Sequence, residues 1–387
     1  MKKFLLLFLS GLFSLSVVAD LNGNGYYRVQ NALTKRYAYL FDDKGKIDTT
    51  ATTADVQALQ LFSGYLRASS DPSTIFYISN AGGSNYDIAG QGTSVHGFLD
   101  EYLHIISGKK YDGVQSYYIY ASKSVGSKYL GDIDANLSEE HGLASADASG
   151  DKRLWYFHTL DAASDDSYFG IAPTLTAGGK YYHPLYAGFP FSAYSEGVKF
   201  YYISNVDSRH KVAVMKEIVG TVPAGKAVIA ECSNPLATDN RLNVGSSGSV
   251  ANLDDNKLSG VYFDNDTYRA HYNRTPYDKE TMRILKVVDG KLTFTVGDVD
   301  FLPRNQAYLQ LTDRDQYPVA DYTLVSEEEY NDIVAAVEAI PASALVDVYS
   351  LDGRLVKSGI AKTDVNSLGK GLYIIKAAGL SEKLILH

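Results

Sequence analysis

The chain is poor in the residue types that most often announce chemistry. Its 387 residues include one cysteine, Cys232, one tryptophan, three methionines and eight histidines. A single thiol cannot build an internal disulfide framework, so stability must come from packed secondary structure. No His-Glu-x-x-His, cysteine pair or calcium loop occurs. The nearest carboxylate clusters, Asp132-Ile133-Asp134 and Asp313-Arg314-Asp315, sit beside strand ends, where acids serve as turn residues. No metal or cofactor is therefore expected. Nucleophile signatures are lacking too. Ser94 and His96 lie in Gly92–Gly97 without a Gly-x-Ser-x-Gly elbow, and Cys232, His271 and Asn273 carry no protease signature. Glu139-Glu140-His141 falls in a small, polar stretch that reads as a loop. No catalytic residue is expected.

Positive charge is also scarce, with 36 Lys and Arg against 45 Asp and Glu, a net charge of −9. Losing Lys2 and Lys3 with the first 19 residues would take this to −11. Such a chain is repelled by phosphate backbones and anionic lipid, which excludes nucleic acid as a partner. The longest apolar run, FLLLFLSGLF, follows Lys2-Lys3 and precedes Val17-Val18-Ala19. It is too short to span a bilayer and has the order of a cleavable signal peptide over residues 1–19, so no transmembrane anchor is expected.

What the chain does hold is tyrosine and glycine, 31 and 33 residues. Four segments share a paired aromatic, alternating residues, a polar turn and a second aromatic. They begin at Gly25 (GYYRVQNALTKRYAYL), Ile75 (IFYISNAGGSNYDIAG), Ser116 (SYYIYASKSVGSKYLGD) and Leu154 (LWYFHTLDAASDDSYFGIAP). Each reads as a β-hairpin, and their recurrence every roughly 40–50 residues implies a repeated unit closing into a barrel without free edges. With Tyr27-Arg28-Val29-Gln30-Asn31 leading to Arg36-Tyr37-Ala38-Tyr39-Leu40, and with Phe76-Tyr77-Ile78 and Trp155-Tyr156-Phe157, residues 20–162 resemble a ricin-type β-trefoil lectin. The Gln-x-Trp signature of those lectins is absent, because Lys152-Arg153 precede Leu154-Trp155. Lectin sites pair a ring that stacks on sugar C–H faces with an acid that takes two hydroxyls, so Tyr39 with Asp42, and Tyr129 with Asp132, are the candidate ligand residues.

From residue 163 the pattern changes. Tyr181-Tyr182, Phe189-Pro190-Phe191 and Val222-Pro223-Ala224-Gly225-Lys226 carry a resemblance to a β module of bacterial surface proteins, and cleanly alternating strands imply an antiparallel, sandwich-like region over 163–325. Within it, 233–260 reads as an exposed loop. SEEEYNDIVAAVEAI is a helix, with Ser326 and Glu329 as a capping box and Tyr330, Ile333, Val334 and Val337 on one face; Pro341 ends a helical linker over 326–341. Such a short helix should dock its apolar stripe on the sandwich.

The tail, 342–387, reads as three short strands forming a small β half-sandwich. Val348-Tyr349, Asp352-Gly353-Arg354, Gly371-Leu372-Tyr373 and Lys383-Leu384-Ile385 resemble the C-terminal sorting domain of cargo exported by the type IX (Por) secretion system of Gram-negative bacteria. That resemblance implies Gly353, Arg354, Gly371, Tyr373 and Lys383 as the sorting signal, the type IX machinery as a partner, and passage through the periplasm to the cell surface or medium. The expectation is an all-β, non-enzymatic secreted binding protein for a glycan or an extracellular protein. A secreted hydrolase with unrecognised catalytic residues and a structural or adhesive surface component remain open as alternatives.

Overall fold

The computed structural model describes residues 21, 23–43, 46–47, 59–97, 102–121, 128–132, 150–246, 248–265, 273–338, 340, 343–377 and 380–386. The expected signal peptide, Asp134, Glu139-Glu140-His141 and His271 lie outside these residues.

The fold is all-β. In the first part, six strands pair antiparallel in a ring: Gly25–Asn31, Phe76–Gly82, Asn85–Gly90, Leu103–Tyr111, Val114–Ala121, Trp155–Thr159, and back to the first. Closure removes the free edges that a short open sheet would present to other chains. Shorter strands attach outside the ring: Tyr37–Leu40 with Leu59–Phe62, Thr93–Gly97, and Lys128–Tyr129. The period-two alternation of the repeated segments supplies the filling. Tyr27, Val29, Phe76, Ile78, Ile105, Tyr117, Ile119, Trp155 and Phe157 turn inward to one core. Trp155 is fully buried, and its indole N–H donates to the Leu130 carbonyl at 3.0 Å. Six paired strands thus close a barrel in the region where the repeated hairpins predicted one.

The central region is built on a ten-stranded sheet running from Leu175–Ala177 at one end to Leu258–Val261 at the other, with a three-stranded sheet beside it. Pairing in the large sheet is antiparallel except between Val212–Glu217 and Tyr322–Ser326, which run parallel. The strand Val228–Cys232 shows why one sheet serves two cores. Val228, Ala230 and Cys232 face the small sheet with Phe191, Phe200 and Leu242, whereas Ala227 and Ile229 face Ile203, Phe294 and Tyr322 on the other side. Segment 233–260 departs from its reading as an exposed loop. It contributes Arg241–Val244 to the small sheet and Leu258–Val261 to the large one, and it buries Asn240, Leu242 and Leu253. Its Ser, Asn, Gly and Asp content marks tight connections between short strands.

The helix spans Glu327–Glu338 and opens with the expected capping box: the Glu329 N–H donates to the Ser326 hydroxyl at 3.1 Å, and the Glu329 carboxylate accepts the Ser326 N–H at 2.8 Å. Tyr330 donates its hydroxyl to Asp207 at 2.9 Å, and Lys216 pairs with Glu327 at 3.3 Å, so the helix is fastened to the central sheet. The tail then forms four strands, in the order Leu355–Ala361, Leu345–Ser350, Gly371–Ala377, Leu380–Leu386, one more than its sequence suggested. Ile340, Val346, Val348, Val365 and Ile375 fill one face.

Barrel and central region share a seam. Arg28, on the barrel exterior yet only 1% exposed, donates to the Tyr168 carbonyl at 2.6 Å, the Ser69 carbonyl at 3.2 Å and the Thr74 hydroxyl at 3.0 Å. Gly170 donates its N–H to the Ser69 carbonyl at 3.0 Å, and Arg304 pairs with Asp71 at 3.1 Å. A fragment ending at Ala162 should accordingly unfold cooperatively but at a lower temperature than the barrel within the whole chain. It lacks the Tyr168 acceptor, and a hydrogen bond to a charged group contributes about 1.5–3 kcal/mol. Equal melting temperatures would show that the seam adds no stability.

Candidate functional site

The four residues expected to meet a ligand have different fates. Asp132 is 1% exposed and accepts from the Arg36 guanidinium, its Nε at 2.8 Å, while Thr34 donates its hydroxyl to the same carboxylate. Arg36 is itself 2% exposed, so the pair is an internal tie between the first hairpin and the strand region near Tyr129. Tyr39 is buried, stacked on Phe62 with ring centroids 3.9 Å apart, bonded to Gln60 and covered by the Arg304 guanidinium 5.2 Å from its ring. Asp42 is 2% exposed. The sequence reading placed Asp42 and Asp132 in exposed turns; the fold turns both inward, because the hairpins that carry them fold against the barrel. Only Tyr129 stays half-exposed, in an aromatic cluster with Tyr118 at 5.5 Å and Tyr120 at 5.4 Å, with Arg153 4.9 Å above its ring.

Of the residues expected to form a sorting signal, Gly353, Arg354 and Lys383 are exposed, whereas Gly371 and Tyr373 are half-buried. Gly353 takes φ +82° at the hairpin tip, where a side chain would be strained, and Arg354 follows it, exposed. Gly371 and Tyr373 lie together on an inner strand, and the Tyr373 hydroxyl donates to the Gly369 carbonyl at 2.9 Å. Lys383 is exposed on the opposite edge strand from the one that Arg354 precedes.

The residues that do line a concave surface were not read from sequence as ligand residues, although Ser94, Phe189 and the aromatic pairs were noted there. In a strand, neighbours point to opposite faces, so each aromatic pair sends one ring inward and one outward. Tyr27 and Phe76 go in. Their partners Tyr26 and Tyr77 go out, and since they stand directly opposite each other in the antiparallel pairing, their rings meet at 5.0 Å. Phe189, from the central region, closes on Tyr26 at 6.2 Å. Together these rings wall a groove of about 280 Å³ whose remaining lining includes Gly90, Gly92, Thr93, Ser94 and Gly188. At Gly188 the two regions approach so closely that a Cβ there would lie 2.6 Å from the Gln91 Cα. Tyr77 is 37% exposed, so a ring face is available beside hydroxyl and backbone polar groups.

Such a groove can hold a flat, polyhydroxylated ligand by stacking and a few hydrogen bonds. Cys232 offers no competing nucleophilic chemistry: it is fully buried, and burial pushes its thiol up to about 12. Among the described residues, no cluster of three or more His, Cys, Asp or Glu could hold a metal ion, and no helix is long and apolar enough to cross a membrane.

Replacing Asp132 by Ala should destabilise the fold by about 3–5 kcal/mol, because it removes one partner of a buried ion pair. Chemical denaturation would measure this; an unchanged midpoint would mean that the tie contributes nothing.

No family model matches the chain, and no curated protein matches it. Among solved structures, the hemolytic lectin CEL-III aligns with 11% sequence identity and a TM-score of 0.17, over 75% of this chain and 64% of that one. The chain thus spans less than two thirds of that lectin, and a likeness so slight bears on neither site nor ligand.

Proposed function

We propose that this chain is a non-enzymatic glycan-binding protein, carried to the cell surface or medium by type IX secretion, and that the groove between barrel and central region is its sugar site. The observation that carries this reading is the outward pair Tyr26 and Tyr77, held ring to ring beside Thr93, Ser94 and three glycines. An aromatic face takes the C–H surface of a pyranose, hydroxyls and backbone groups take its oxygens, and the glycines let the sugar approach the backbone. Phe189 comes from the neighbouring region, so the site needs both regions in place.

Screening the whole chain on a glycan array identifies ligands, and Tyr77→Ala should weaken binding to the hits by about two- to tenfold, the share expected of one stacking ring. Thermal stability should change little at this partly exposed position. Unchanged affinity for every hit would remove the groove as the sugar site.

Export rests on the tail. Its surface hairpin at Gly353-Arg354 and the exposed Lys383 are available for recognition by a secretion apparatus. Deleting residues 346–387 should leave a folded protein in the periplasm, and normal surface or medium levels of the truncated protein, followed by immunoblotting, would overturn this part.

A further inference from the structure

A second cavity lies inside the central region, lined by the turn around Gly225-Lys226, the loop that follows Leu253, and the strands Leu258–Val261 and Gln306–Gln310. Its volume is about 400 Å³, in the range of small-molecule sites. The walls are fixed. Asn256 donates its amide to the Ala227 carbonyl at 2.7 Å and accepts the Leu258 N–H at 3.0 Å, and Tyr202 donates its hydroxyl to Asp255 at 3.3 Å, which pins the loop to both neighbouring strands. Tyr186 lies flat on Gly260, where a Cβ would fall 2.1 Å from its ring, so this wall exists only because residue 260 has no side chain.

Several half-buried cations are matched by acids: Arg241 pairs with Asp165 at 2.8 Å and Arg304 with Asp71 at 3.1 Å. Lys226 is half-buried and makes no ion pair among the described residues. Its ammonium lines the cavity without a carboxylate partner among the described residues and is available to an anion supplied from outside. Asp254 stands on the exposed rim, where solvent screens its charge. Ser259 and Tyr308, which stand opposite each other on paired strands, line the same cavity with their hydroxyl-bearing side chains.

We infer that this cavity binds a carboxylated sugar, with the carboxylate on Lys226 and the ring hydroxyls shared among Asp254, Ser259 and Tyr308. A cation for the acid end and a carboxylate acceptor for the polyol end match the two ends of a uronic or sialic acid. The inference does not depend on the Tyr26–Tyr77 groove, which has no charged lining residue.

Glucuronic acid and its methyl ester share their hydroxyls and differ in charge, so isothermal titration of the whole chain with each reads the Lys226 contact directly. The acid should bind at least tenfold more tightly than the ester, as expected for one charge-assisted hydrogen bond of about 1.5–3 kcal/mol. Lys226→Gln should abolish that preference and Lys226→Arg should retain it, each with an unchanged melting temperature. Tyr77→Ala should leave it intact. Equal binding of acid and ester, no binding of either, or a preference that survives Lys226→Gln would overturn the inference. Loss of glucuronate binding in Tyr77→Ala alone would move the acid to the groove and likewise overturn it, while leaving the groove reading standing.

Discussion

A guanidinium that must be satisfied out of water organises the molecule. Arg28 sits on the outer face of the first barrel strand, 1% exposed, and burial works against its charge. Its N–H groups are met by two carbonyls and a hydroxyl, from Tyr168, Ser69 and Thr74. Those acceptors belong to the chain leaving the barrel and to the connection before the strand Phe76–Gly82. Satisfying one side chain thereby ties two segments to the first barrel strand, and an unmet donor there would cost more than a lost surface contact. Tyr26, two residues before Arg28 and on the same face, inherits its place at the seam from that arrangement.

The same device recurs. Arg283, also 1% exposed, donates to the carbonyls of Tyr317 and Val319 and holds the approach to the strand Tyr322–Ser326. Arg36 uses Asp132. In a protein whose single cysteine forms no disulfide, buried arginines fasten loops to sheets where hydrophobic packing alone leaves backbone carbonyls to be satisfied. The candidate groove is a by-product of the first of these ties: the barrel presents Tyr26 and Tyr77, and the close approach of Gly188 to Gln91 brings Phe189 alongside.

Much of the fold was legible because it follows from local rules. Alternating aromatics mark strands whatever the neighbours, and the capping box of Ser326 and Glu329 is a four-residue property; both appear as read. The candidate site was less legible for a specific reason. The sequence pairs Tyr with Asp at hairpin ends, but whether such an acid faces water depends on what folds over it, and over Asp132 that is Arg36, 96 residues away in the chain. The groove residues come from two regions and share no sequence motif. Their only local trace is the doubled aromatics Tyr26-Tyr27 and Phe76-Tyr77, of which one member must point outward.

The sequence by itself determined the all-β character, the aromatic barrel repeats, the docked helix and the strand-rich tail, because periodicity, capping and turn chemistry act over a few residues. Tertiary structure alone decided which rings stay exposed, which acids are buried, and that Lys226 stands half-buried with no anion beside it among the described residues. Those outcomes depend on register and on contacts between residues far apart in the chain, and no short segment encodes them.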